Sequence, residues 1–316
     1  MPAAEHAHLD LTRALSAWRP EPVVVVLVCA VGAAYWLGLR RLGGRWPVSR
    51  TVSFFAGLGC VLLVTVTWVG VYAGTLFWVR ALQNLVLLMV APLLLALGAP
   101  LTLLRDLLPE PTRARGSRLL HSAALRALTF PPLIAVLLVA PLYLVYLTPL
   151  NEAAQRHGPV AFAAGLGLVA AGFGYFWTRL RIDPTPRSDP HLVTVAMSIA
   201  EVVLDGALGL RLWLGPTVAT GYYAGLRSWG PDLRLDQTIG AGVLWFGGDL
   251  AGLVFLAAVA RRMVHDEEEQ AQHIDAVLDA ASPPAAGPEA APEQAESLWW
   301  ETDPQIAHRF RRPESS

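Results

Sequence analysis

The chain has 316 residues, 54% of them hydrophobic and 16% charged, with a formal net charge of −1. Soluble domains carry about a quarter charged residues, so the composition argues against a large soluble core, and the near-neutral charge removes any electrostatic case for nucleic-acid binding. The apolar residues are gathered into long blocks, which points to an all-α, polytopic membrane protein embedded in a lipid bilayer.

Residues 1–21 form a short segment ahead of the first block. Seven blocks follow, roughly 22–40, 52–74, 78–98, 129–148, 159–179, 191–214 and 237–262. Each is near the ~20 residues that a helix needs to cross the hydrocarbon core. The first is not read as a cleavable signal: acidic residues precede it and no small-residue cleavage pattern follows. Every basic residue is arginine, and the arginines alternate from loop to loop. Arg40, Arg41, Arg45 and Arg50 follow the first block, and Arg105, Arg113, Arg115, Arg118 and Arg126 follow the third. Arg179, Arg181 and Arg187 follow the fifth, and Arg261 and Arg262 end the seventh. Residues 75–77 carry none, 149–158 only Arg156, and the loop after the sixth block mixes Arg227 and Arg234 with two aspartates. The positive-inside rule then predicts an external N-terminus and a cytoplasmic C-terminus; the expected location is the plasma membrane.

Residues 263–316 are expected to form a cytoplasmic tail. Ile274, Val277 and Leu278 share a helical face, so the tail starts as an amphipathic stub. The stretch "ASPPAAGPEAAPEQAE" is rich in Pro, Ala and Glu and is expected to be disordered. The final "SLWWETDPQIAHRFRR" offers two tryptophans and a basic end, suited to docking or to a membrane surface.

Ionisable groups at membrane depth are costly and usually face the bundle interior. Arg80, Gln83 and Asn84 stand at i, i+3 and i+4 on one face near the outer end of the third block. Glu201 and Asp205 share a face of the sixth, and two carboxylates so close in a low dielectric do not readily both ionise. Asp236 and Gln237 stand at the outer start of the seventh block and Asp249 near its middle. Asp236 is expected at the depth of Arg80 and is its first-choice partner; Glu201 and Asp205 lie deeper. Each group has two readings, a hydrogen bond between helices or a functional site. Gly165, Gly167, Gly172 and Gly174, and Gly240, Gly242, Gly247, Gly248 and Gly252, suit close helix packing that leaves Asp249 inside.

No P-loop, dinucleotide fingerprint, HExxH or CxxC is present, so no enzyme activity is assigned. Cys29 and Cys60 are expected about 9 Å apart in depth on antiparallel helices, too far for a disulfide, and read as small apolar residues. The pair His6 and His8 suggests metal only faintly, in a segment that reads as disordered, and Met89 and Met197 read as core.

The order of pieces carries a resemblance. "QNLVLLMVAPLLLALGAPLTLL" is followed by the "RHGP…FW…DP" pattern at Arg156 to Pro159, Phe176–Trp177 and Asp183–Pro184. After a sixth span comes Asp-Gln-x-x-Gly-x-x-x-x-Trp at Asp236, Gln237, Gly240 and Trp245. From about residue 50 to 270 this resembles the polytopic CtaG family of cytochrome c oxidase assembly factors. The resemblance implies a seven-helix membrane protein of the respiratory chain, partnered with cytochrome c oxidase subunits, with copper as the supposed cargo. It also exposes departures. The family stretch before "LLMVAP" reads His-x-x-Gln-His, where this chain has Arg80, Gln83 and Asn84. Histidines after the "RHP" pattern are replaced near Ala161 and Gly165. Arginine cannot ligate a cation, so the stripe reads as a lost or repurposed metal face, and no metal, cofactor or catalytic residue is assigned. Two other classes stand beside an assembly factor: a transporter or proton-linked carrier using Glu201, Asp205 and Asp249, and a non-catalytic scaffold.

Overall fold

The structure is a computed structural model that describes residues 9–43, 46–120, 122–180, 183 and 191–281. The expected disordered tail, the terminal tryptophan pair, His6, His8, Arg45, Arg181 and Arg187 lie outside the described residues. The chain divides into two units, Met1–Val259 and Ala260–Ser316. Described residues outside loops are helical throughout.

A short helix α1 (Leu11–Ser16) precedes α2 (Pro22–Leu42) and α3 (Val48–Val66). Helix α3 breaks at Thr67, and one further turn, α4 (Trp68–Tyr72), follows. The third apolar block is a compound helix: α5 (Phe77–Leu85), a π-helical turn (Val86–Val90), α6 (Ala91–Leu97) and α7 (Pro100–Leu107). Then come α8 (Glu110–Leu120), α9 (Ala123–Leu128), α10 (Pro131–Leu147), α11 (Leu150–Arg156), α12 (Gly158–Leu180), α13 (His191–Leu214), α14 (Thr220–Tyr223) and α15 (Leu233–Ala281).

Among the described residues four helical stretches are long and apolar enough to cross a membrane: α2, α3, the compound helix Phe77–Leu107, and α12. A fifth arises if α10 and α11, bent by 71° at Pro149, count as one. Helices α13 and α15 stand where the sixth and seventh spans are expected.

The compound helix is the most buried of the four and forms the axis of the first unit. Its interruptions follow from sequence. Pro92 has no N–H and its ring would clash with the carbonyl of Leu88, so the ladder widens into a π turn just ahead of it. The freed Leu88 carbonyl points at α12, where a Cβ on Gly172 would lie 1.9 Å from the oxygen; only glycine fits. At the other end Ala99 adopts a left-handed conformation (φ 50°) and is fully buried, and Pro100 restarts the helix. Tyr35 fastens α2 to this second break: its hydroxyl donates to the Gly98 carbonyl (2.8 Å) and accepts from Trp46 Nε1 (3.0 Å), while its ring stacks on Phe54.

The glycine expectation holds in part. Gly240 packs against Phe77, Gly247 against Leu85 and Gly248 near Met89, which seats α15 on the compound helix. Gly167 and Gly252 have open space at the Cβ position and do not mediate packing.

Candidate functional site

The end of the bundle expected to face outside is organised by Asp236, which is fully buried. It enters at the first turn of α15, whose N-terminus is capped by Asp232 accepting from the Leu235 amide (2.7 Å). Its carboxylate accepts from the amides of Phe77 (2.9 Å) and Trp78 (2.9 Å), so one helix caps the orphan donors at the start of another, α5. The same carboxylate forms an ion pair with Arg227 (2.8 Å), which also donates to the carbonyls of Thr75 (3.3 Å) and Trp229. Gln237, 1% exposed, ties the neighbouring loop. Its Oε1 accepts from the Val218 amide (2.6 Å), and its Nε2 donates to the carbonyls of Leu212 (2.7 Å) and Pro216 (3.1 Å). Asp236 and Gln237 thus close the loop between α13 and α15.

This corrects the pairing expected for Arg80. Asp236 is not its partner, because Arg227 and two helix N–H groups already occupy that carboxylate. Among the described residues no carboxylate pairs with Arg80, and its Nε is buried without a partner. Its Nη1 donates to Gln83 Oε1 (2.9 Å), and Gln83 Nε2 donates onward to the Val64 carbonyl (2.7 Å) next to the α3–α4 break. Asn84 Nδ2 donates to the Tyr146 hydroxyl (2.9 Å) on α10. The guanidinium lies within electrostatic range of Tyr146, Tyr222 and Tyr223. In the loop beyond α13, burial pushes the Tyr223 phenol up, so it stays protonated, and it accepts from Gln155 Nε2 (2.9 Å), which also holds the Ala73 carbonyl (3.0 Å). Gln83, Asn84 and Gln155 therefore join α3, α5, α10, α11 and α14.

A copper ion does not fit the stripe. Arg80 cannot ligate one and its charge repels it, Gln83 Oε1 already accepts from Arg80, and the remaining amide oxygen of Asn84 is a poor ligand for a soft metal. Among the described residues no group of three or more His, Cys, Asp or Glu side chains is placed to hold a metal.

Deeper in the bundle Glu201 is buried and fully engaged. Its carboxylate accepts from the Tyr175 hydroxyl (2.6 Å) and pairs with Arg179 (3.2 Å), both from α12. Arg179 also lies over the Tyr175 ring. Asp205, half-buried one turn on, borders a small, partly open gap with Leu88, Met89, Leu142, Leu208 and Leu244. Asp249 departs from the expectation of an interior position. It is exposed, because α15 turns Gly247 and Gly248 towards the compound helix and carries the next residue around to the outer side.

Sequence reasoning missed Arg227, Tyr146, Arg179 and Asp183 as members of these constellations. Asp183 lies in the quoted "FW…DP" pattern and caps α7 by accepting from the amides of Leu101 (3.2 Å) and Thr102 (2.6 Å) and from the Thr102 hydroxyl (2.5 Å). The compound helix is therefore capped by a distant aspartate at each of its two starts, Asp236 for α5 and Asp183 for α7.

Residues 33–266 match the family model described as cytochrome c oxidase caa3 assembly factor. The chain is also similar to uncharacterised proteins of Mycobacterium bovis and Mycobacterium tuberculosis, each 29% identical over 283 residues, and to one of Mycobacterium leprae, 28% identical over 287 residues. These alignments take in 85–86% of this chain, which spans 43% of the length of those relatives. No solved structure matches.

Proposed function

The chain belongs to the cytochrome c oxidase caa3 assembly factor family, and on that premise we propose that it assists assembly of a respiratory cytochrome c oxidase in the plasma membrane by contact with oxidase subunits rather than by catalysis. The match over residues 33–266 carries the reading. In this reading the seven apolar blocks are seven spans, with the N-terminus outside, the C-terminal tail from residue 263 in the cytoplasm, and residues 22–262 as the membrane domain. The arginine asymmetry between alternate loops supports that orientation. The capped compound helix gives the protein a rigid axis, and the Arg80 stripe serves that rigidity rather than holding copper.

A strain lacking the gene, grown with and without added copper, tests the proposal. Oxidase activity falls in the deletion strain and added copper leaves it low, because the missing element is a contact. Full recovery on copper alone assigns the protein to metal supply and overturns the contact role.

A further inference from the structure

Helix α15 presents an unpartnered face with an acid in it. Leu235, Ile239, Phe246, Leu250 and Leu253 are exposed, the last three to 65%, 64% and 63%. At 3.6 residues per turn they fall in one stripe, and Asp249 lies at its edge. The opposite side of the helix is already used: Gly240 and Gly247 seat on Phe77 and Leu85, and Trp245 packs against Gly206 and Gly209 of α13. Asp249 is 13 residues beyond Asp236, about 20 Å along the helix at 1.5 Å per residue. In a core of roughly 30 Å that leaves Asp249 well inside the hydrocarbon, and an aspartate is too short to reach the surface. Among the described residues it has neither a hydrogen bond nor an ion pair.

We propose that this face of α15 docks a transmembrane helix of another polypeptide that carries an arginine or lysine at the depth of Asp249. The proposal rests on the membrane-spanning reading of α15 given above. The charged group within electrostatic range of Asp249 among the described residues is another acid, Asp205 on α13, which makes a carboxylate facing lipid costlier still, and the membrane remedy is a complementary charge on a facing helix. The flanking Phe246, Leu250 and Leu253 supply the apolar contact on either side. A second copy is the wrong occupant, since two copies meeting here set Asp249 against Asp249, a like-charge contact. Glu201 is no model for Asp249, because Arg179 and Tyr175 complete it within the chain.

The test uses the full chain in native membranes, with photocrosslinking residues at Leu250 and Leu253 and, as control, at Val203, an exposed position on α13. The expected result is a crosslink from positions 250 and 253 to a helix with Arg or Lys within one turn of the contact. It falls at least fivefold when Asp249→Leu is added, while the control meets lipid only. Crosslinks to lipid alone, to a second copy, or to a helix without a basic residue overturn the proposal. In a chain with Cys29→Ala and Cys60→Ala, Asp249→Cys resists an impermeant maleimide from both sides. Efficient labelling overturns the membrane depth and the docking with it. A crosslink to a basic helix in a strain whose oxidase is normal upholds the docking face while contradicting the assembly role.

Discussion

Asp236 accepts from two helix N–H groups and a guanidinium, so a substitution there leaves three buried donors exposed to loss. Breaking a buried pair by removing one partner costs about 3–5 kcal/mol, whereas removing both is close to neutral. We expect Arg227→Leu and Asp236→Asn each to lower thermal stability in detergent, and the double mutant to lose clearly less than the sum. Arg80→Leu combined with Asp236→Asn is expected to be additive, because the two do not share a bond. Coupling of Arg80 to Asp236 in that cycle would contradict the observed pairing. The same residues set a copper prediction. The purified protein is expected to hold less than one copper per chain, and Arg80→His with Asn84→His to raise that content. Stoichiometric, tightly held copper in the unaltered protein would contradict the loss of the site. The polar stripe was legible in sequence because helical spacing places Arg80, Gln83 and Asn84 on one face. The true partner of Asp236 was not: Arg227 sits in a loop of mixed charge, and loop geometry brings it back to the helix start.

Among elements, the compound helix departs most from what periodicity predicts. Its apolar block reads as a span over residues 78–98 with the Pro- and Gly-bounded "APLLLALGAPL" as a candidate break; the ladder instead widens first at Val86–Val90, breaks at Ala99 and runs on to Leu107. Pro92 and Pro100 are the local signals, but the compensation comes from outside the segment. Gly172 leaves room for the Leu88 carbonyl, and Asp183 caps the restarted helix. We expect Gly172→Ala to push α12 off the π turn and cost about 1–3 kcal/mol, in line with other small-to-large changes in packed cores. Gly167→Ala, on the same helix with open space at its Cβ, is expected to leave the melting temperature unchanged or raised. Equal losses from both would remove the close approach as the cause. Periodicity located the helices well, with α2, α10, α12 and α13 close to their expected limits. It did not locate Asp249, because the glycine content of α15 leaves two sides able to pack and only the three-dimensional arrangement chooses between them.

At the scale of the whole molecule, hydrophobic blocks and arginine placement carried the class and the proposed orientation, because the bilayer imposes both on the sequence. Reporter fusions at residues 8 and 290 are expected to give opposite compartment signals; the same signal from both removes an odd number of spans. The family was legible through motif order, and the two aspartates in those motifs cap helices. The proposed role therefore turns on a contact with the oxidase, and its most direct measure is the haem absorbance of assembled cytochrome c oxidase in membranes of a deletion strain and of the same strain carrying the gene on a plasmid. The account predicts a clear loss of that absorbance in the first and its return in the second. Wild-type absorbance in the deletion strain would contradict it.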